Sequence, residues 1–412
     1  MGKMFSWAGA LCWLTVLLDG FDLVVLGAVI PTLLEEKHLG ITAGSATFAA
    51  TISLVGVAIG AAVSGPIADR FGRRKALLVS VAVFSVATAA LPTAGSLAMF
   101  DVYRLVAGLG LGACLPTALT LMAEQMPVAR RGSASTVTMT GYHAGAVLTS
   151  LLALQFVPNW QPLFFVGGAL GLALLPALWW KLPESQAYLE RHAAPDRIPL
   201  RVLVGRRYVR VTLGVWVASF MGLLLVYGLN TWLPKLMRDA GYTMSTSLTL
   251  LLVLNTGAIV GLLLAGALAD RRGTKPIVLV WFSLAALFLA LLSVKVPSSV
   301  LLNLLVFITG VFVFSAQVLV YAYVTQAYPA DIRATALGLT ASVGRLGAIV
   351  GPTLTGLLVV AGSAHPWSFY FFAAVACLGA LALTIVPRID VDSDAPATVV
   401  AAHPTRAAGR PG

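Results

Sequence analysis

Charge is what this sequence has least of. Only 10% of its 412 residues are Asp, Glu, Lys or Arg, against 59% hydrophobic types. A soluble domain carries about 25% charged residues, so a water-soluble globular fold is excluded. Cysteine is scarce too. Cys12, Cys114 and Cys377 lie far apart, without metal-ligand spacing, and each falls inside an apolar run. No disulfide framework or metal site is expected, and all three read as small core residues. A phosphate-binding P-loop is missing. The run GLGLGAC (Gly108–Cys114) lacks the third glycine of a dinucleotide fingerprint and sits within an apolar span, so no cofactor is expected. No intramembrane His/Glu set or nucleophile–base pattern suggests an enzyme. What is abundant is long apolar sequence, with a mean hydropathy of +0.92. This predicts an all-α integral membrane protein with many spans.

A bilayer core of ~30 Å needs ~20 helical residues. Twelve segments meet that length, at about 8–31, 44–67, 76–93, 97–123, 134–157, 162–180, 209–234, 246–269, 276–294, 299–325, 334–361 and 367–386. Only Lys3 precedes the first run and no small-residue cleavage pattern follows it, so it reads as a retained helix rather than a signal peptide. The net charge of +11 does not point to nucleic acid, because the basic residues fall between spans. With the N-terminus inside, 21 of the 27 Lys and Arg residues lie on the cytoplasmic side. The opposite loops hold only Lys37, Lys235, Arg238 and Lys295. That bias places both termini in the cytoplasm. The expected organisation is a six-helix half at 1–180, a cytoplasmic linker at 181–208, a second six-helix half at 209–387 and a disordered tail at 388–412.

The halves repeat. GPIADRFGRRK (Gly65–Lys75) recurs as GALADRRGTK (Gly266–Lys275) at an offset of 201, and EQMPVARRGSA (Glu124–Ala134) recurs as QAYPADIRATA (Gln326–Ala336) at 202. Two parallel six-helix repeats form a transporter architecture. The loop pattern G-x-x-A-D-R-x-G-R-R-K with its weaker second copy resembles the signature of the major facilitator superfamily, and the resemblance covers the whole chain. Within that superfamily, LDGFDLVVLGAVIP (Leu18–Pro31), RLVAGLGLGACLPTALTLMAE (Arg104–Glu124), YGLNTWLP (Tyr227–Pro234) and LPES (Leu182–Ser185) are similar to the aromatic acid:proton symporters that carry benzoate or 4-hydroxybenzoate. The resemblance implies that the acidic pair on the first helix is essential for transport, and that an arginine at the Arg104 position matters for it.

Asp19 and Asp22 fall near the middle of the first span, three residues apart and so on one helical face. Facing lipid, each would cost ~2.5–3.5 kcal/mol. They must face a cavity or a partner, either as a proton-coupling pair or as a hydrogen-bonded structural pair, and Asp22 is narrowly preferred as the proton carrier. Arg345 falls at a similar depth in the eleventh span. Its planar fork suits a carboxylate, belonging either to a substrate or to one of the two aspartates. At the repeat offset His143 maps onto Arg345, making His143 a second cavity group. Tyr142 points about 100° away from it, so the two are not expected to line the cavity equally. Arg104 either draws anions inward or pairs with an aspartate on the first helix. Phe314, Gln317 and Tyr321 share one face of the tenth helix, and Tyr227 and Asn230 one face of the seventh. Together they offer a flat apolar slot with a few polar groups.

Asp69, Arg70, Arg73, Glu124 and Arg130 are expected to form a latch at the cytoplasmic ends of the first half. Asp270 and Arg333 are expected to form a weaker one in the second. Five G-x-x-x-G pairs, among them Gly141/Gly145 and Gly347/Gly351, are expected to let helix backbones approach. The reading is a monomeric, proton-coupled importer of a small aromatic carboxylate in the inner membrane. Another organic anion as substrate, or drug export by the same architecture, is the alternative. A transporter-like sensor is disfavoured, because the linker and tail are too short for a signalling domain.

Overall fold

The computed structural model describes residues 7–124, 131–184, 203, 205, 208–328 and 330–386. The side chains at 66, 69, 123, 124, 131–136, 270 and 330–335 lie outside that description. Among the described residues are twelve long helices: α1 (Trp7–Glu35), α2 (Ala43–Phe71), α3 (Arg73–Ala90), α4 (Leu97–Glu124), α5 (Arg131–Phe156), α6 (Gln161–Lys181), α7 (Val209–Asp239), α8 (Met244–Arg272), α9 (Thr274–Leu291), α10 (Ser299–Ala327), α11 (Ala330–Val360) and α12 (Trp367–Thr384). All twelve contain a stretch long and apolar enough to cross a membrane, so the protein is a multi-pass membrane protein. Large apolar side chains such as Val300, Trp180 and Leu263 stand exposed on the outer surface, as lipid contact requires. Cys12 and Cys114 are buried as expected, but Cys377 is exposed on α12. In a membrane-spanning helix an apolar run marks lipid-facing positions as well as core ones, so hydrophobic context alone did not reveal which way Cys377 points.

Every helix is found where it was expected, but α1, α2 and α7 run several residues further. Pro31 and Pro234 lie inside α1 and α7 rather than ending them. The apolar stretch stops near each proline, and the helix continues to place charged Glu35 and Arg238 beyond it.

The repeat seen in the sequence reaches the helix ends. Thr42 caps α2 by accepting from the Ser45 amide, and Thr243 caps α8 by accepting from the Thr246 amide. Ser298 caps α10, and Ser96 accepts from the Met99 amide at the start of α4. Each cap satisfies one of the orphan amides of a first turn. A single residue joins α2 to α3 and α8 to α9. These are Gly72 and Gly273, with φ of 96° and 83°, a region that side-chain-bearing residues rarely adopt. The loop motif thus has a backbone reason for its glycine in both copies. Glu184 of the LPES segment accepts from the Arg74 amide at 3.0 Å, which places a carboxylate at the N-terminus of α3, where the helix dipole favours it.

Packing follows the same two-fold pattern. In one half α1 lies on α5, α2 on α4 and α3 on α6. In the other half α7 lies on α11, α8 on α10 and α9 on α12. Between the halves α5 meets α8, α2 meets α11 and α1 meets α7. The α1–α5 contact is backbone against backbone: a Cβ placed on Gly145 would stand 1.9 Å from the Leu17 carbonyl oxygen. Gly145→Ala is therefore expected to push α1 off α5 and lower stability by about 1–3 kcal/mol. Thermal unfolding in detergent checks this, and an unchanged melting temperature would contradict it.

Candidate functional site

The face of the bundle that carries the α6–α7 linker is termed the linker side, and the opposite face the far side. On the far side the halves are drawn together. Arg238 of α7 donates to Glu35 of α1, and Thr51 of α2 is hydrogen bonded to Thr353 of α11 at 2.7 Å. The Gly27 backbone packs against the carbonyls of Asn230 and Thr231. Two of the far-side basic residues are thereby neutralised, because Lys235 also pairs with Asp239.

At mid-depth the two aspartates of α1 part company. Asp22 is 1% exposed, and its Oδ2 lies 3.2 Å from Arg104 Nη1. Thr88 of α3 donates to its other oxygen. Arg104 in turn donates to Ser53 of α2 at 3.0 Å, while its Nε finds no partner. This cluster ties α1, α2, α3 and α4 together within one half. Of the two readings of Arg104, the structure has it paired with an aspartate.

Asp19 is as deeply buried, at 2% exposure, yet accepts no hydrogen bond from the described residues. The charges it feels are those of Arg345, across the gap between the halves, and of Asp22. Arg345 Nη1 donates to the Tyr227 hydroxyl at 3.1 Å, and Tyr321 lies near enough to act on both electrostatically. Tyr142 of α5 joins the same group, interacting with Asp19, Tyr227 and Arg345. The cluster Asp19–Arg345–Tyr142–Tyr227–Tyr321 thus draws on both halves. Arg345 and Tyr321 are half-buried, whereas Asp19, Tyr142 and Tyr227 are buried. Tyr321 stands toward the linker-side end of α10.

His143 is buried on the next face of α5. Its Nδ1 lies 3.1 Å from Asn255 Oδ1 of α8, and its ring meets Phe314 edge-on with centroids 4.9 Å apart. The Tyr142 and His143 rings also meet edge-on. The two residues look onto different surroundings, Tyr142 toward Asp19 and Arg345 and His143 toward Asn255 and Phe314, because α5 is wedged between α1 and α8. Asn255 Nδ2 continues the chain to Asn230 Oδ1 at 2.9 Å. Gln317 is buried and donates to Ser219 of α7 at 3.2 Å. It braces α10 against α7 rather than reaching the tyrosine cluster.

Three participants were not anticipated. Asn255 carried a signal, being a lone amide in the apolar run of α8. Ser53 and Thr88 carried none, since hydroxyls in spans commonly bond to their own helix backbone. Of the expected latch, the Arg70 guanidinium lies over the Phe71 ring, 5.3 Å from its centroid, and Arg73 is half-buried. The side chains of Asp69, Glu124, Arg130, Asp270 and Arg333 lie outside the described residues.

A twelve-helix bundle of two equivalent halves, with charged groups from each half meeting at mid-depth, is the architecture of a secondary membrane transporter. The chain belongs to the Major Facilitator Superfamily, whose family model matches residues 12–352 and 250–408. It is 34% identical over 404 residues to a gallate transporter of Pseudomonas putida, covering 90% of each chain. It is 32% identical over 412 residues to a benzoate transport protein of Acinetobacter baylyi, covering 90% of this chain and 87% of that one. In fold it is similar to a crystal structure of a D-xylose–proton symporter, with a TM-score of 0.75 at 17% identity, covering 92% of this chain and 97% of that one.

Proposed function

We propose that this protein imports a small aromatic carboxylate together with protons by alternating access of the two halves to a mid-depth site. The observation that carries the reading is Asp19 of one half facing Arg345 of the other among tyrosines. In the empty site Asp19 holds Arg345 electrostatically. A proton on Asp19 removes that competition, and the guanidinium fork then accepts the substrate carboxylate. Tyr142, Tyr227 and Tyr321, with Phe314 behind His143, supply aromatic surface for the ring. Anion and proton thus depend on one another through a shared arginine. The gallate and benzoate relatives support an aromatic acid as cargo.

On this reading Asp19 takes precedence over Asp22 as proton carrier. Two donors engage both oxygens of Asp22 within one half, whereas Asp19 stands in the gap that opens and closes. One proton per monoanion is electroneutral, and each further proton draws on ~2.3 kcal/mol per 100 mV. The Lys and Arg bias supports a cytoplasmic linker side with both termini inside. The same proposal has the halves at 1–180 and 209–387 working as a monomer in the inner membrane. Arg70 and Arg73 with Asp69, Glu124 and Arg130, and Asp270 with Arg333, are the residues proposed to latch the cytoplasmic side when the site opens outward.

The test is uptake of labelled benzoate and 4-hydroxybenzoate into vesicles holding the purified protein under an imposed pH gradient. Accumulation driven by an inward proton gradient is expected. Failure to accumulate any aromatic acid would contradict the reading.

A further inference from the structure

Two residues of the loop motif, Arg74 and Lys75, have no part in the site above. They stand in the first turn of α3, on the linker side, beside the last turn of α6. Between the two helices runs an apolar groove of about 580 Å³. Leu78 and Val79 of α3 form one wall, and Leu172, Pro176, Trp179 and Trp180 of α6 form the other. Val79, Trp179 and Trp180 are exposed, so the groove opens on the surface that meets lipid. From Leu172 to Trp180 it follows ~12 Å of α6, at ~1.5 Å per residue. Tryptophans at the end of an apolar span anchor at the level of the lipid headgroups, which sets the depth of the groove's linker-side end.

That end is cationic. Arg74 donates to the Trp179 carbonyl, and its guanidinium lies over the Trp179 ring, 5.5 Å from the centroid. The carbonyl takes only one of the fork's donors. Glu184 accepts from the Arg74 amide rather than from the guanidinium, so it offsets charge nearby without occupying the fork. Lys75 is exposed and lies one turn before Leu78 and Val79 on the same face of α3. Lys181, over the Trp7 ring at 5.6 Å, adds a third positive charge where α6 ends. An acyl chain gains nothing by leaving lipid for an equally apolar groove. Any preference among lipids must therefore come from the headgroup, and cations select an anionic one.

The second half separates what packing needs from what it does not. At the repeat offset of 201 Arg74 becomes Lys275, which donates to the Val386 carbonyl just past the end of α12. The bond tying the start of one helix to the end of another is thus common to both halves. Lys75, however, becomes Pro276, and Ile385 and Val386 follow α12 where Trp179 and Trp180 close α6. The additional cation and the tryptophan pair belong to the first half alone. We infer that the α3–α6 groove binds one anionic phospholipid. An acyl chain lies along Leu78, Leu172 and Pro176, and Arg74 and Lys75 hold the phosphate with Lys181 beside them. Phosphatidylglycerol fits this charge, whereas phosphatidylcholine brings a cation of its own to a site that already has three.

The experiment is native mass spectrometry of the purified full-length protein in detergent. It is titrated with phosphatidylglycerol, with phosphatidylcholine of the same acyl chains, and with glycerol 3-phosphate, which has the phosphate but no chain. The wild type is expected to bind one phosphatidylglycerol about tenfold or more tighter than phosphatidylcholine, and glycerol 3-phosphate far more weakly than either. Lys75→Gln and Arg74→Gln should each weaken phosphatidylglycerol about fivefold and leave phosphatidylcholine unchanged. Lys275→Gln, at the repeat position of Arg74, should change neither. Lys75 is exposed, so its substitution does not disturb packing. Equal affinity for the two lipids, a preference kept by Lys75→Gln, or an equal loss in Lys275→Gln would overturn the site. Glycerol 3-phosphate binding as tightly as the lipid would overturn it too, as would a dimer that excludes lipid, since a second copy would then cover the groove.

Discussion

Asp19→Asn is expected to abolish proton-driven accumulation while leaving exchange of external for internal substrate intact. The asparagine mimics the protonated carboxyl, so Arg345 stays available to the substrate carboxylate in both orientations of the halves. No proton then has to bind with the substrate or leave after it, and the gradient loses its grip. For the wild type, one coupled proton in an electroneutral cycle supports up to about tenfold accumulation per pH unit, because a pH unit corresponds to about 1.4 kcal/mol. For the variant the ratio of internal to external substrate should settle near one, at an exchange rate within a few-fold of wild type. Wild-type accumulation by Asp19→Asn would remove Asp19 from the coupling step and return that role to Asp22.

Arg104→Leu is expected to be the most destabilising single substitution in the cluster. It leaves Asp22 buried with Thr88 as its one donor and strips Ser53 of its partner. Removing one member of a buried ion pair costs about 3–5 kcal/mol, since the other charge is stranded out of water. The double variant Asp22→Leu/Arg104→Leu should recover most of that loss, because an apolar pair of similar volume carries no desolvation cost. By contrast Arg238→Ala, which breaks the solvent-facing pair with Glu35, should cost no more than about 1 kcal/mol. Unfolding in detergent distinguishes these cases. A loss below about 1 kcal/mol for Arg104→Leu, or no recovery in the double variant, would show that Asp22 does not depend on Arg104.

Much of this arrangement was legible in the sequence, for reasons of energy. Spans are dictated by length and apolarity, so all twelve helices were found, and the offsets of 201 and 202 extend even to the caps at Thr42 and Thr243. An ionised group at mid-depth must find a partner, so Asp19, Asp22, Arg104 and Arg345 could be singled out before any coordinates. Which partner each would take was not legible. Asp19 and Asp22 are neighbours on one face of α1, yet their offset sends one to α11 and the other to α3 and α4. Helical spacing fixes direction around one axis and does not say which helix stands there. The Asn255 link across the halves and the bracing role of Gln317 were hidden for the same reason.

The central claim is that substrate and proton meet through Arg345, with Asp19 as its competitor. The most direct measurement is the affinity for 4-hydroxybenzoate as a function of pH, in the wild type and in Asp19→Asn. If substrate binding requires a protonated Asp19, binding takes up a proton, and linkage makes affinity rise as pH falls. The slope is up to tenfold per pH unit wherever Asp19 is ionised in the empty protein. The account predicts that slope for the wild type and a flat, tight profile for Asp19→Asn above the range where the substrate's own carboxyl titrates. The same slope in both proteins, or no slope in the wild type, would contradict it.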